Sequence, residues 1–309
     1  MQSDSRGARH APKGMSSSRR WSAVLVLVAL LNAGCYLLIA LGLRDAPHLT
    51  TAALRALTAG VGLALPAALE RRPLPRTMRA WLMLIGIGLG TTTLGFLGMF
   101  HAAPIVPPGL ATVVSSAQPL VAALLARAFL RERITPAQGA GLLLGFLGIV
   151  VMSLPYLLSA NPLRFARGIV YVVFAAAGVA MGNVLTKAVA RYLDPLVAMS
   201  SQALLGAIPL ALGAALLERG SAYGWTAASI ATLLALGLLA TALSNWLWFA
   251  ALERLTLSHA NAFNFLTPLA GWIAAVSFFG ERFDAISLIG LALALAGVAL
   301  VNGAGRARL

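Results

Sequence analysis

Apolar runs long enough to cross a bilayer as helices follow one another along almost the whole chain, separated by short polar breaks. They predict spans over 21–43, 49–69, 80–101, 108–129 and 136–155. After the break Ser159-Ala160-Asn161-Pro162, further spans are predicted over 168–189, 195–217, 226–250, 258–279 and 284–302. The expected fold class is an all-α integral membrane protein with ten transmembrane helices, five on each side of the break.

The pattern also repeats itself. Shifted by 149 residues without a gap, Ala111, Pro119, Leu120, Ala126, Phe129, Glu132-Arg133, Gly141, Leu142, Leu144 and Gly148 meet their equals. These are Ala260, Pro268, Leu269, Ala275, Phe278, Glu281-Arg282, Gly290, Leu291, Leu293 and Gly297. Internal repeats of this kind build alternating-access transporters. An odd number of spans per repeat forces the copies into opposite senses across the membrane. The expected organisation is a basic cytoplasmic tail over 1–20, taken as disordered, a first five-helix repeat over 21–155 and an inverted second repeat over 168–302. A cytoplasmic tail follows over 303–309.

Composition and charge narrow the class. Of 309 residues 60% are hydrophobic and 10% charged, and the mean hydropathy is +0.87. A soluble domain carries about 25% charged residues. The net charge of +14 would suit nucleic acid, but the basic residues occupy the breaks between apolar runs, so no nucleic-acid partner is expected. With the N-terminus inside, 17 Lys and Arg fall in cytoplasmic segments and five outside (Arg44, Arg164, Arg167, Arg219 and Arg282). This bias places both termini in the cytoplasm. The run after Arg19-Arg20 is too long for a signal-peptide core and reads as a retained first span. The lone Cys35 reads as a small buried filler.

The Glu132-Arg133 and Glu281-Arg282 turns read as structural. Thr135-Pro136 and Asp284-Ala285 follow at matching positions, with Thr and Asp suited to N-caps and Pro to the first helical position. Pro119 and Pro268, in mid-span, read as hinges or as helix bends that expose carbonyls beside a cavity.

The chain resembles the drug/metabolite transporter superfamily, and within it the EamA-type ten-span members. The likeness rests on PLVAALLARAFLRE from Pro119 to Glu132, continuing to Gly148, and on PLAGWIAAVSFFGE from Pro268 to Glu281, continuing to Gly297. Pro47 with Leu54-Arg55-Ala56, and Pro195 with Gln202 and Gly206, add to it. The resemblance implies two inverted five-helix halves around a substrate path. It implies movement of small metabolites or drugs across the cytoplasmic (inner) membrane of a bacterium, in many cases outward, with no cofactor or metal.

Polar groups at membrane depth are costly and tend to face the bundle interior. Arg55 is either a partner for a substrate carboxylate or a residue that snorkels or bonds carbonyls near the outer interface. Asn32 and Asn183 occupy related places in the two halves, as cavity lining or as helix–helix glue. Gln118 and Thr267 match one another before the prolines, and Ser115 matches Asn264 one turn away; these four are expected to line the cavity. Gln202 and Asn245 complete the candidate set. Trp246 and Trp248 read as interfacial anchors, Lys187 as a snorkelling residue, His101 as a gating or protonation candidate, and Thr91-Thr92-Thr93 as hydroxyls bonded to their own helix.

No Asp or Glu falls in the central part of any span, which removes support for proton antiport through a buried carboxylate. No catalytic pair, Walker loop or metal cluster is visible, so the chain is not expected to be an enzyme. The expected partners are a small-molecule substrate and the lipid bilayer, and the sequence is compatible with a monomer or a homodimer. Amphipathic metabolites such as amino acids rank first as substrates. Cationic or lipophilic drugs come second, and a receptor or scaffold without transport is a remote third.

Overall fold

The computed structural model describes residues 14–42, 46–115, 118, 120–121, 135–158, 161–221, 223–255, 260, 263, 266–280 and 284–306. Among them every regular element is helical. They are α1 (Gly14–Gly42), α2 (His48–Leu69), α3 (Met78–Ala102), α4 (Pro108–Ser115) and α5 (Pro136–Leu157). Then come α6 (Pro162–Val189), α7 (Pro195–Leu217), α8 (Ala227–Arg254), α9 (Leu266–Phe279) and α10 (Ala285–Arg306). Seven helices among the described residues, α1 to α3 and α5 to α8, are long and apolar enough to cross a membrane. The chain is a multi-pass membrane protein.

Three boundaries differ from expectation, the first being that α6 starts at Pro162, inside the expected break, and not at 168. The tail over 1–20 is helical from Gly14, because Met15 to Arg20 continues α1 beyond its apolar run. At the other end α10 reaches Arg306, into the expected tail over 303–309.

Helix starts follow local chemistry. Thr77 caps α3, accepting from the Ala80 amide at 3.3 Å, and Asp194 caps α7, accepting from the Leu196 amide at 2.9 Å. Thr226 and Ser229 close a capping box on α8, and Thr135 and Gln138 close one on α5. The matching start of α10 is capped by Asp284, which accepts from Ser287 N at 2.9 Å. Pro47, at the N-cap of α2, has no side chain that can do this. Glu218, from the end of α7, does it instead: its carboxylate accepts from the amides of Leu49 and Thr50 at 2.8 Å each and from the Thr50 hydroxyl at 2.8 Å.

Helices pack chiefly as α5 with α10, α3 with α6, α2 with α7, α1 with α8, α3 with α7 and α2 with α8, followed by α4 with α9. Lipid is as apolar as leucine, so close packing rather than water exclusion must hold such pairs. In the α5–α10 pair a Cβ on Gly148 would run into the backbone of Gly290 and Ala294. One on Gly297 would run into the backbone of Gly141 and Gly145. Only glycine allows this approach.

Two helices carry a π-helical stretch, Gly88–Leu94 in α3 and Ala235–Leu243 in α8. Such stretches loosen the i→i−4 ladder and release carbonyls for other partners. The 149-residue shift carries Gly88 onto Gly237, Thr92 onto Thr241 and Leu94 onto Leu243.

Candidate functional site

A cavity of about 160 Å³ lies among α1, α2, α3, α4, α6, α8 and α9. That is close to the roughly 150 Å³ that accepts one benzene-sized ligand, and below the range of about 300–1,000 Å³ typical of drug-sized sites. Asn32, Cys35 and Tyr36 face it from α1, Arg55 from α2, and Thr91, Thr92 and Phe96 from α3. Ser115 and Gln118 line it from the α4 side, Asn183 from α6, Thr241 to Trp248 from α8 in part, and Thr267 from α9. Among the described residues no lining residue is Asp or Glu.

Seven of the sequence candidates therefore meet at one cavity: Asn32, Arg55, Ser115, Gln118, Asn183, Asn245 and Thr267. Gln202 does not line it. Its side chain lies behind the wall, 1% exposed, with Oε1 accepting from Thr92 at 2.9 Å and 2.9 Å from the Thr91 hydroxyl. Asn264, Pro119 and the two Glu-Arg turns (Glu132-Arg133 and Glu281-Arg282) lie outside the described residues. Pro268 is buried in α9. Asn32 also joins helices, its Oδ1 accepting from Ser244 at 3.0 Å.

Arg55 is the electrostatic centre. It is 2% exposed and does not snorkel. Its Nε donates to Thr241 Oγ1 at 2.9 Å and its Nη2 to Cys35 Sγ at 2.7 Å. The guanidinium carbon stands 4.1 Å from the Phe96 ring centroid, a cation–π arrangement. The Thr241 hydroxyl donates in turn to Leu236 O, a carbonyl of the π-helical stretch, at 2.7 Å, which leaves its oxygen free to accept. Nη1 has no hydrogen-bond partner among the described residues. A buried cation lacking an acid is costly unless an anion joins it.

Several expectations change in the structure. Trp248 is no interfacial anchor: it is 9% exposed and lines the cavity, while Trp246, at 36%, stays half-exposed. Cys35 is more than filler, since it takes an Arg55 N–H at the cavity wall. Lys187 does not snorkel but folds onto the end of α8, donating to Leu252 O at 2.5 Å and Leu255 O at 2.7 Å, where a cation suits the helix dipole. Of the threonine run only Thr91 bonds its own helix, at Ile87 O; Thr92 and Thr93 reach α7. His101 lies away from the cavity, its Nδ1 donating to Leu97 O at 2.8 Å, with the His48 ring 5.7 Å and the Tyr171 ring 5.2 Å distant. Tyr36, Thr241 and Ser244 are lining residues that the sequence reading passed over. Their place in the middle of apolar runs was the available signal.

The sequence model of the EamA-like transporter family matches residues 19–154 and again residues 166–303. The chain belongs to this family. The EamA assignment makes it a membrane transporter, not an enzyme. A solved crystal structure superimposes with a TM-score of 0.67 at 21% identity, covering 91% of this chain and 98% of the other, which is a likeness of fold. A WAT1-related chloroplast protein of Arabidopsis thaliana is 29% identical over 81% of this EamA chain, and the match spans 62% of that protein's length. A probable amino-acid metabolite efflux pump of Salmonella typhimurium is 29% identical over 91% of this chain and 94% of its own.

Proposed function

We propose that the protein exports small amphipathic metabolites, amino acids foremost, across the cytoplasmic membrane, with the substrate carboxylate held by Arg55. The observation that carries this is the Arg55 guanidinium, buried at the cavity: among the described residues Nη1 has no hydrogen-bond partner and no lining residue is an acid. The similarity to the Salmonella pump along 91% of the chain agrees with it. A cationic drug would want a carboxylate where this cavity holds an arginine.

Transport runs by alternating access between two inverted five-helix halves, 21–155 and 168–302, with ten spans and both termini in the cytoplasm. The doubled family match, the 149-residue repeat, the two π-helical stretches at that same shift and the charge bias support this arrangement. So does the packing. Exchanging the halves turns the α5–α10, α2–α7 and α4–α9 pairs into themselves and α3–α6 into α8–α1. Asn32, Ser115, Gln118, Asn183, Asn245 and Thr267 line the substrate path. Asn264 joins them through its match to Ser115, while Gln202 supports the wall from behind.

Purified protein in proteoliposomes, given amino acids, neutral metabolites and cationic drugs, tests the reading. Movement of carboxylate substrates, reduced by Arg55→Ala more than that of neutral ones, is expected. Movement of cationic drugs alone, or of nothing in the panel, would overturn it. Reporters fused to both termini should signal cytoplasm.

A further inference from the structure

Besides Arg55, two lining residues hold a buried donor without a hydrogen-bond partner among the described residues, the Tyr36 hydroxyl and the Trp248 indole; the hydroxyl has the Ser115 side chain beside it, and the indole has no such neighbour. Trp248 is 9% exposed, lines the same space as Arg55, and its indole Nε1 meets no acceptor among the described residues. A buried polar group left unsatisfied costs as much as a lost hydrogen bond or more, so each such donor in a binding cavity marks a place for a ligand acceptor. The Arg55 and Trp248 donors are set apart. Arg55 is pinned to Thr241, and Trp248 follows Thr241 by seven residues on α8, about 10 Å along a helix. Both residues line one cavity of about 160 Å³, which limits the molecule between them to a small one.

We infer that the substrate carries two acceptors, a carboxylate at one end for Arg55 and a neutral carbonyl or amide oxygen at the other for the Trp248 indole N–H. The inference rests on the carboxylate reading of Arg55 and narrows it to a subclass. The second acceptor is neutral because Arg55 is the one cation among the described lining residues. Lys187 spends its ammonium on Leu252 O and Leu255 O and does not line the cavity. A second carboxylate would stand as an uncompensated anion at membrane depth. A distal ammonium would face an N–H donor with no acid among the described lining residues. A purely aliphatic tail would offer Nε1 no acceptor at all. Sites built to hydrogen-bond one group discriminate strongly against analogues that lack it, because the site's own buried donor is stranded.

Glutamine and norleucine separate these cases, since they share the α-carboxylate and similar length but only glutamine has a distal carbonyl. Proteoliposomes with the full-length protein would be loaded with each radiolabelled compound and efflux measured. In Trp248→Phe the ratio of glutamine to norleucine efflux should fall by about tenfold, the equivalent of one hydrogen bond. Benzothienylalanine incorporated at position 248 replaces the N–H with sulfur in the same ring shape, and should shift the ratio equally should the Phe variant fail to fold. Arg55→Gln should depress both compounds together. If Arg55→Gln acts so but neither change at 248 alters the ratio, the second acceptor is wrong and the carboxylate reading stands. If the wild type moves neither compound, or Arg55→Gln changes neither, the carboxylate reading fails and this inference with it.

Discussion

The π-helical stretches of α3 and α8 make the same contact with different chemistry. Each faces the second helix of the other half: Gly88 lies against the Gln202 carbonyl of α7, and Gly237 against Thr58 of α2. Each sends a threonine across at the same register. Thr92, on the wall, meets Gln202 behind it in a neutral pair, and Thr241 meets Arg55, a charged pair at the cavity with one guanidinium nitrogen without a partner among the described residues. The common frame comes from duplication, and the difference places the ionic chemistry in one copy alone. A transporter with two equal latches would hold two arginines at one cavity and repel itself.

Breaking the charged latch should have the largest effect. Arg55→Gln is expected to lower efflux of carboxylate substrates by at least tenfold in proteoliposomes, since hydrogen bonds to charged groups contribute about 1.5–3 kcal/mol. The size-exclusion profile of that variant in detergent should stay that of the wild type. Next, Thr241→Val strands Arg55 Nε in a buried place and should lower thermal stability more than Thr92→Val, which leaves Gln202 beside Thr91. A difference of about 1–2 kcal/mol is expected from the cost of an unsatisfied charged donor, and equal melting shifts would count against it.

The glycines sharpen the comparison further. A Cβ on Gly88 would stand 2.5 Å from Gln202 O and 3.0 Å from Gly206 N, both backbone, whereas one on Gly237 meets first the side chain of Thr58 at 2.6 Å. Gly88→Ala should therefore cost more than Gly237→Ala, within the overpacking range of about 1–3 kcal/mol.

The smallest effect belongs to the helix caps, where the two copies differ in the same way. Thr135 caps α5 with a neutral hydroxyl, and Asp284, just outside the span that begins at Ala285, caps α10 with a carboxylate. The Ser287 amide bonded to it holds the Asp284 carboxyl below its usual range. A depressed folded value means that the cap's contribution is present above the unfolded value of about 3.9 and is lost as pH falls through the lower folded one. Melting curves of wild type and Asp284→Asn should converge on acidification below about pH 4 and stay apart above it. The matching neutral cap at Thr135 should show no such dependence.

Much of this was legible in the sequence because membrane helices leave few polar residues to account for. Asn32, Arg55, Ser115, Gln118, Asn183, Asn245 and Thr267 were conspicuous in apolar runs, and burying them together is the cheapest arrangement in lipid. Trp248 and Lys187 were misjudged because their positions near a helix end suit an interface, and only the packing partner decides which way such side chains turn. Gln202, expected to line the cavity, lies one layer behind it, held by the threonines of α3. The π-helical stretches left no trace: Gly88 and Gly237 pair under the repeat, yet nothing in GLGTTTL or ALGLLATAL departs from an ordinary α-helix.

Glu218 has a consequence for the birth of the molecule. The first turn of α2 is completed by a residue 169 positions later in the chain. At about 5–20 residues per second a ribosome needs on the order of ten seconds or more to supply it. For that time the amides of Leu49 and Thr50 must be satisfied by water or by a lipid headgroup. The second half, on arriving, then closes a helix that the first half was unable to finish.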